Sequence, residues 1–427
     1  MNDHEFDYLI VGSGTGGATL ANELALRGKD VLVVDCGKRE TSLGTFSDCV
    51  RYFDANKLTL IPKHSMEGTT LWRTLMVGGS SEVACGNGIR SLETELNDYG
   101  ISLQEYYEKS ESYIQSAPID DRLLSDGSKC ISEAARELGY KFSPMPKYID
   151  MGKCHRCHGC SLGCRYQARW TASQTMDEAI KKGAVLETSI QVKKVITQNG
   201  KASGIEGSST DSNIRIRAKK VILAAGGLGT PVILQNSGVS EAGQNLFIDM
   251  LTNTYGTTRE TNLVHEPQMS LVDMEFHKSD GFLLSPFVNI PRQIRLIEAG
   301  LKGSLMNANH MLGMMVKTKD DGAGRVFPDG RVSKPLTEQD RTRLKKGHEI
   351  ASAILIKAGA DPKSIVQTVP QGAHPGGTAA IGTVIDKYLQ TKIEGLFVCD
   401  ASALPVAPGL PPILVIMSLA RYLANII

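Results

Sequence analysis

Short apolar runs, each closed by glycine or a carboxylate, recur along the chain and predict its elements. Residues 6–11 (FDYLIV) read as a short buried strand and residues 31–34 (VLVV) as a second, ending at Asp35. Between them residues 18–25 carry helical spacing, and Gly28 closes that helix. Residues 219–231 (KKVILAAGGLGTP) predict a buried strand running into a glycine-rich turn and a helix start, and residues 395–402 a further short strand ending in the carboxylate of Asp400. Residues 190–195 and 202–206 predict a hairpin or meander around Asn199-Gly200. In the middle of the chain, residues 98–138 read as two polar, Glu/Lys-rich helices. Residues 269–276 (MSLVDMEF), 281–288 (GFLLSPFV) and 311–316 (MLGMMV) read as strands. Turn signals at residues 320–324 and 328–330 predict a hairpin, and Thr337 is the expected N-cap of a long amphipathic helix to Ala358.

The first strand, helix and second strand enclose Gly12-Ser13-Gly14-Thr15-Gly16-Gly17. A G-x-G-x-x-G run after a strand, opening a helix at Thr15 and followed by an acidic residue at the end of the next strand, is the dinucleotide-binding arrangement. Each part has a physical task. Gly12 allows a tight turn, Gly14 lets backbone approach a pyrophosphate, and Gly17 lets helix and strand pack closely. The helix N-terminus offers free N–H groups to phosphate, and Asp35 can accept hydrogen bonds from ribose hydroxyls. The alternative is a glycine-rich turn of an ordinary α/β domain. The start at residue 12, with no second such fingerprint downstream, favours FAD over NAD. Gly78-Gly79-Ser80-Ser81 is a second glycine–serine loop able to present N–H groups to phosphate or flavin.

Four cysteines fall within eleven residues: Cys154, Cys157, Cys160 and Cys164, spaced C-x2-C-x2-C-x3-C. This spacing lets thiolates converge from one loop. It matches the bacterial ferredoxin run, except that Arg165 stands where proline follows the last cysteine. A [4Fe-4S] cluster is the expectation. Zinc, which usually takes two separated pairs, and unmetallated thiols remain the alternatives. A remote thiol such as Cys85 or Cys130 is a candidate to replace Cys164.

Composition changes this picture little. The 427 residues carry 47 basic against 46 acidic side chains, which excludes a nucleic-acid surface as an expectation. Glycine, at 43 residues, is high and suits backbone packed against a ligand. The polar opening residues 1–5 do not read as a secretory segment. The apolar tail at 412–420 is too short for a membrane span of ~20 residues. Nine cysteines then point to reduced thiols or metal ligands and a cytoplasmic protein.

Residues 221–238 (VILAAGGLGTPVILQNSG), the segment His374-Pro375-Gly376-Gly377-Thr378, and residues 395–417 together resemble the glucose–methanol–choline (GMC) oxidoreductase family. The resemblance implies an α/β fold. A Rossmann-like FAD domain would be built from residues 1–95, 150–250 and 370–427. An α+β substrate domain with an antiparallel sheet would comprise 96–149 and 251–369. It implies FAD, a small-molecule alcohol or carbonyl substrate, and hydride transfer to the flavin. By family position Val192 would meet the adenine through its backbone, and Gly78 to Ser81 would face pyrophosphate and flavin ring. Gly226 would belong to the cofactor site, and Asp400 and Ala401 would contact phosphate or ribityl groups. His374 would be the catalytic residue, taking the hydroxyl proton or stabilising the substrate oxygen. The chain departs from the family pattern by its shortness, by Ala84-Cys85 after the second glycine loop, and by Pro411 where the partner of the catalytic histidine usually stands; proline neither donates a hydrogen bond nor acts as a base. His374 is accordingly expected to act without a side-chain partner. With no histidine between His64 and His155, the flavin is expected to be held non-covalently. The implied function is oxidation of a C–OH group, with electrons passing through the cluster to a protein or quinone acceptor. A reductase running the same parts backwards, and a non-catalytic flavin/iron–sulfur relay, are the alternatives.

Overall fold

The computed structural model describes residues 4–56, 61–209 and 212–427, so the opening residues 1–3 lie outside it. Its first sheet begins with β1 (Glu5–Val11), whose last four residues are buried, and returns through helix α1 (Thr15–Leu26) to the fully buried β2 (Val31–Val34). A run buried on both faces of a parallel sheet needs no polar alternation, which is why these strands are plain apolar runs. β3 (Val185–Glu187) extends the sheet beyond β2. On the other side β4 (Gln191–Gln198), β5 (Lys201–Ser208) and β6 (Asn213–Leu223) form an antiparallel meander. Its first turn carries Asn199 and Gly200, both at positive φ. β6 closes back in parallel on β1, and the short strand Leu396–Val398 pairs in parallel with β6. Helix α2 (Gly226–Asn236) leaves the end of β6.

A second sheet is antiparallel at its centre: β7 (Leu251–Thr257), β8 (Phe282–Pro286) and β9 (Met311–Thr318) lie in the order β8, β9, β7. The strand Gln371–Gly372 adds beside β7. Helix α3 (Glu338–Lys357) covers this sheet, and Thr337 caps it in a reciprocal box with Asp340. The last helix, α4 (Ile413–Ile426), packs on α1 in the first core.

The segment 269–276 departs from expectation. Only Leu271–Val272 is strand, and Glu275–Ser279 turns into a short helix. The Asp273 carboxylate accepts the backbone N–H of Glu275 at 2.9 Å, so a local side-chain–backbone hydrogen bond prevails over an apolar pattern that suits a strand. Of the two polar helices expected in 98–138, Gln104–Ile114 packs against α4 in the first core, while Asp126–Glu137 packs against α3 beside the second sheet. Alternation of polar and apolar residues shows that a helix has a buried face but not which sheet that face meets.

Candidate active site

The dinucleotide loop is built as its glycines predict. Gly12 has φ +106°, and a Cβ there would lie 2.3 Å from the Ala224 carbonyl oxygen at the end of β6. Gly17 packs against Gly12, where a Cβ would meet its oxygen at 1.9 Å. Gly14 is different: a Cβ would meet no protein atom within 4 Å, and its backbone is extended. The space above it is therefore open for a ligand. α1 has no side-chain cap, so its first N–H groups remain available there. Gly16, which forms no part of the fingerprint's logic, packs on the Cys399 carbonyl, with a Cβ placed at 1.8 Å.

That opening is part of a cavity of about 540 Å³ that runs between the two sheets. Gly12, Gly14, Thr15, Asp35, Gly79, Ser80, Ser81, Val192, Gly226, Asp400 and Ala401 all line it; Gly17 and Gly78 do not. Gly79 backs onto Gly14, so the two glycine loops form one wall. Asp35 does more than the ribose contact expected of it. One carboxylate oxygen accepts the Ser13 N–H (2.8 Å) and the Ser13 hydroxyl (2.6 Å), and the other accepts the Gly37 N–H (2.8 Å). Asp400 likewise accepts from Gly226 N (2.8 Å), Thr230 Oγ1 (2.5 Å), and Ser402 N (2.7 Å) and Oγ (2.5 Å). Both carboxylates thus fasten the turns that carry them, and burial pushes both pKa values up.

His374 lines the same cavity. Residues 374–376 run antiparallel to 247–249, with His374 N donating to the Ile248 carbonyl and a bridge between Phe247 and Gly376. This places the His374 Nδ1 2.9 Å from Asp249 Oδ2. Asp249 is fully buried, and its other oxygen accepts the Gly409 N–H at 2.9 Å. The expectation that His374 acts alone is therefore corrected. Pro411 does line the cavity without a hydrogen-bonding side chain, but the partner comes from residue 249, at the entrance to β7. With Nδ1 engaged, Nε2 has no bonded partner among the described residues, and the ring lines the cavity. Burial first, and the Lys317 ammonium second, hold the His374 pKa below the ordinary histidine range, while Asp249 acts the other way. A neutral imidazole with a carboxylate on Nδ1 is set up to accept a proton at Nε2.

Residue-pattern reasoning missed Asp249, Lys317, Asn253 and Glu298. Lys317 breaks an otherwise apolar run (MLGMMVKT), which is the signal that marks it; Asn253 sits in a strand already rich in polar residues (LTNTYGT) and gives no such signal. Glu298 gave none, since it sits in a polar helix; it accepts hydrogen bonds from Tyr255 (2.9 Å), Asn289 (2.7 Å) and Gln371 (3.0 Å).

Cys154, Cys157, Cys160 and Cys164 all line one small second cavity of about 20 Å³. Among the described residues, no group of three or more His, Cys, Asp or Glu side chains is placed to hold a single metal ion, so the expected metal centre gains no support from that geometry. Cys85 lines the main cavity and lies close enough to Cys160 for their charges to interact; Cys130 is not among the lining residues of either cavity.

Comparison with known proteins defines the class. The N-terminal and C-terminal profiles described as GMC oxidoreductase match residues 6–251 and 325–420. The chain belongs to the GMC oxidoreductase family and is an FAD-dependent oxidoreductase. An uncharacterised protein of Methanocaldococcus jannaschii is 31% identical over 97% of this chain and 98% of its own length. A long-chain-alcohol oxidase of Arabidopsis thaliana is 25% identical over 99% of this chain and 66% of its own. Formate oxidase of Aspergillus oryzae superposes with a TM-score of 0.76 at 16% identity, covering 100% of this chain and 98% of the other. Pyridoxine 4-oxidase of Mesorbium loti superposes at 0.74, also at 16% identity, covering 99% of both chains. Among the described residues no helix is long and apolar enough to cross a membrane.

Proposed function

We propose that this protein oxidises a C–OH group of a small molecule, with His374 as the base, and that electrons leave through an iron–sulfur cluster to a protein or quinone acceptor. The observation that carries the first half is His374, held at Nδ1 by buried Asp249, on the wall of a cavity that the dinucleotide loop also lines. The cavity fits FAD. Gly14 leaves room that a side chain would fill, α1 offers uncapped N–H groups, and α4 begins at Ile413, on the wall, with its positive end inward. FAD, when bound, supplies the acceptor for the hydride. The protein does the rest. Asp249 fixes the imidazole's orientation and favours Nδ1–H, Nε2 takes the hydroxyl proton, and the mostly apolar walls exclude water. The domain assignment proposed alongside joins the first sheet to cofactor binding and the second to substrate.

The second half rests on the spacing of the four cysteines and on where their loop lies. Cys154, Cys157, Cys160 and Cys164 would hold the cluster, and their loop reaches the main cavity at Ser161, whose N–H shares Gln268 Oε1 with the Cys85 thiol. Lys147, buried, donates to the Cys85 carbonyl (2.9 Å) and offers positive charge beside these thiols. A cluster held there would carry electrons away singly. Anaerobically purified protein is expected to show flavin absorption near ~450 nm beneath a broad brown shoulder, with stoichiometric iron and sulfide. Alcohol added without oxygen should bleach the flavin. A yellow, iron-free protein that alcohol bleaches would leave the oxidation and remove the relay; flavin that no alcohol bleaches would remove the oxidation.

A further inference from the structure

β9 runs through the second sheet with alternate side chains facing the main cavity. Met315 and Lys317 line it, and across the strand pair their register partners Asn253 and Leu251 line it too. A lysine in this position is unusual. Lys317 is 1% exposed, and among the described residues its ammonium makes no hydrogen bond and no ion pair within 4.0 Å. Asn253, on the facing strand, is 0% exposed, and among the described residues neither its amide oxygen nor its amide nitrogen has a partner. Two buried polar groups on one face of a sheet, both without a direct partner among the described residues and both lining one cavity, cost free energy if nothing meets them; the Asp249 carboxylate acts on Lys317 only through space, beyond ion-pair distance. Polar neighbours on the same wall are already occupied. Gln371 bridges Glu298 and the Trp72 indole N–H, and Asp249 holds His374 and Gly409.

On the reading that this site oxidises a C–OH group, we propose that the substrate carries a carboxylate, which the Lys317 ammonium and the Asn253 amide bind, so that a hydroxyl on the same molecule meets His374. A monoanion matches the single ammonium; a phosphate dianion would bring charge with no second cation to meet it. Met269, Met315, Phe287 and Leu251 line the same cavity and would receive an apolar body. The substrate class is therefore an amphiphilic hydroxy acid rather than the neutral alcohol that a wall of apolar side chains alone would select. Specificity follows from the asymmetry of burial: a neutral alcohol leaves the ammonium unpaired, whereas the acid satisfies it.

Anaerobic calorimetric titration of the protein with its flavin already reduced, using octanoate, octanamide and 1-octanol, reads binding without turnover. Octanoate is expected to bind about 100-fold more tightly than octanamide, the order set by one desolvated charge pair. In Lys317→Met, which keeps the stem's volume, that preference should fall to near unity while 1-octanol binding holds. Asn253→Asp supplies an independent check, since a second carboxylate at that wall should repel octanoate and spare octanamide. Equal affinity for acid and amide in the unaltered protein, or an acid preference that survives both substitutions, overturns the assignment. Because the isotherms require no chemistry, a failure here is separate from flavin that no alcohol bleaches.

Discussion

His374 draws its chemistry from two neighbours of opposite sign, and each can be removed. His374→Ala is expected to retain FAD while flavin reduction by substrate slows by about 10²–10⁴, measured by anaerobic stopped-flow absorbance. Asp249→Asn keeps the shape but turns a carboxylate into an amide that no longer favours Nδ1–H, and should slow the same step with the flavin spectrum intact. The pH dependence has a defined sign. Burial and Lys317 lower the His374 pKa, so the base stays unprotonated to below the ordinary histidine value, and the acid limb of kcat should lie below pH ~6.5. Lys317→Met removes a cation from beside the imidazolium and should move that limb upward. A limb that stays put would show that the two side chains do not share a field.

Elements carry the next set of consequences. Gly14→Ala meets no protein atom and an extended backbone, so the apo protein should melt unchanged while FAD affinity falls by tenfold or more. Gly16→Ala drives a Cβ into the Cys399 carbonyl and should lower stability before any ligand is added. A fluorescence titration with FAD beside a thermal melt separates the two. The entry to β7 depends on a buried ion pair. Asp320 accepts the N–H groups of Ile248 and Met250, on either side of Asp249, and Lys334 meets its carboxylate at 2.9 Å with both side chains fully buried. Lys334→Met should cost about 3–5 kcal/mol in urea unfolding, because it strands the carboxylate. Burial pushes the Asp320 pKa up to about 6, against the pull of Lys334. The native state therefore holds a proton that the unfolded chain releases near pH ~4. This contribution to stability is complete below that pH and is lost as pH rises through about 6. Asp320→Asn should flatten that slope.

At the scale of the whole molecule, two cavities meet at one wall. The dinucleotide loop and His374 both line the large cavity; the cysteine loop reaches it at Ser161, beside Cys85. On the proposed cluster reading, replacing Cys157 and Cys160 by serine should remove iron and sulfide and the brown absorption, yet leave FAD bound and still bleached by substrate. Reoxidation by a one-electron acceptor should then slow, whereas the reductive half should not. Loss of flavin along with iron would mean that the loop supports the cofactor site structurally instead.

Much of the cofactor end was legible in the chain because its signals are local. A glycine's lack of a side chain, an apolar run and a helix start lie within a few residues of one another, and from Gly12 to Asp35 sequence neighbours are also neighbours in space. The cysteine spacing was legible for the same reason. His374 could be picked out, but its setting could not. Asp249 lies 125 residues upstream and meets it only because residues 374–376 bridge to 247–249. Lys317 looks like a flaw in an apolar strand, and Asn253 like one polar residue among several, until the sheet register turns both toward one cavity. Charge and hydrogen bonding act over a few ångströms of space, whatever the separation along the chain, and only the tertiary fold sets those distances.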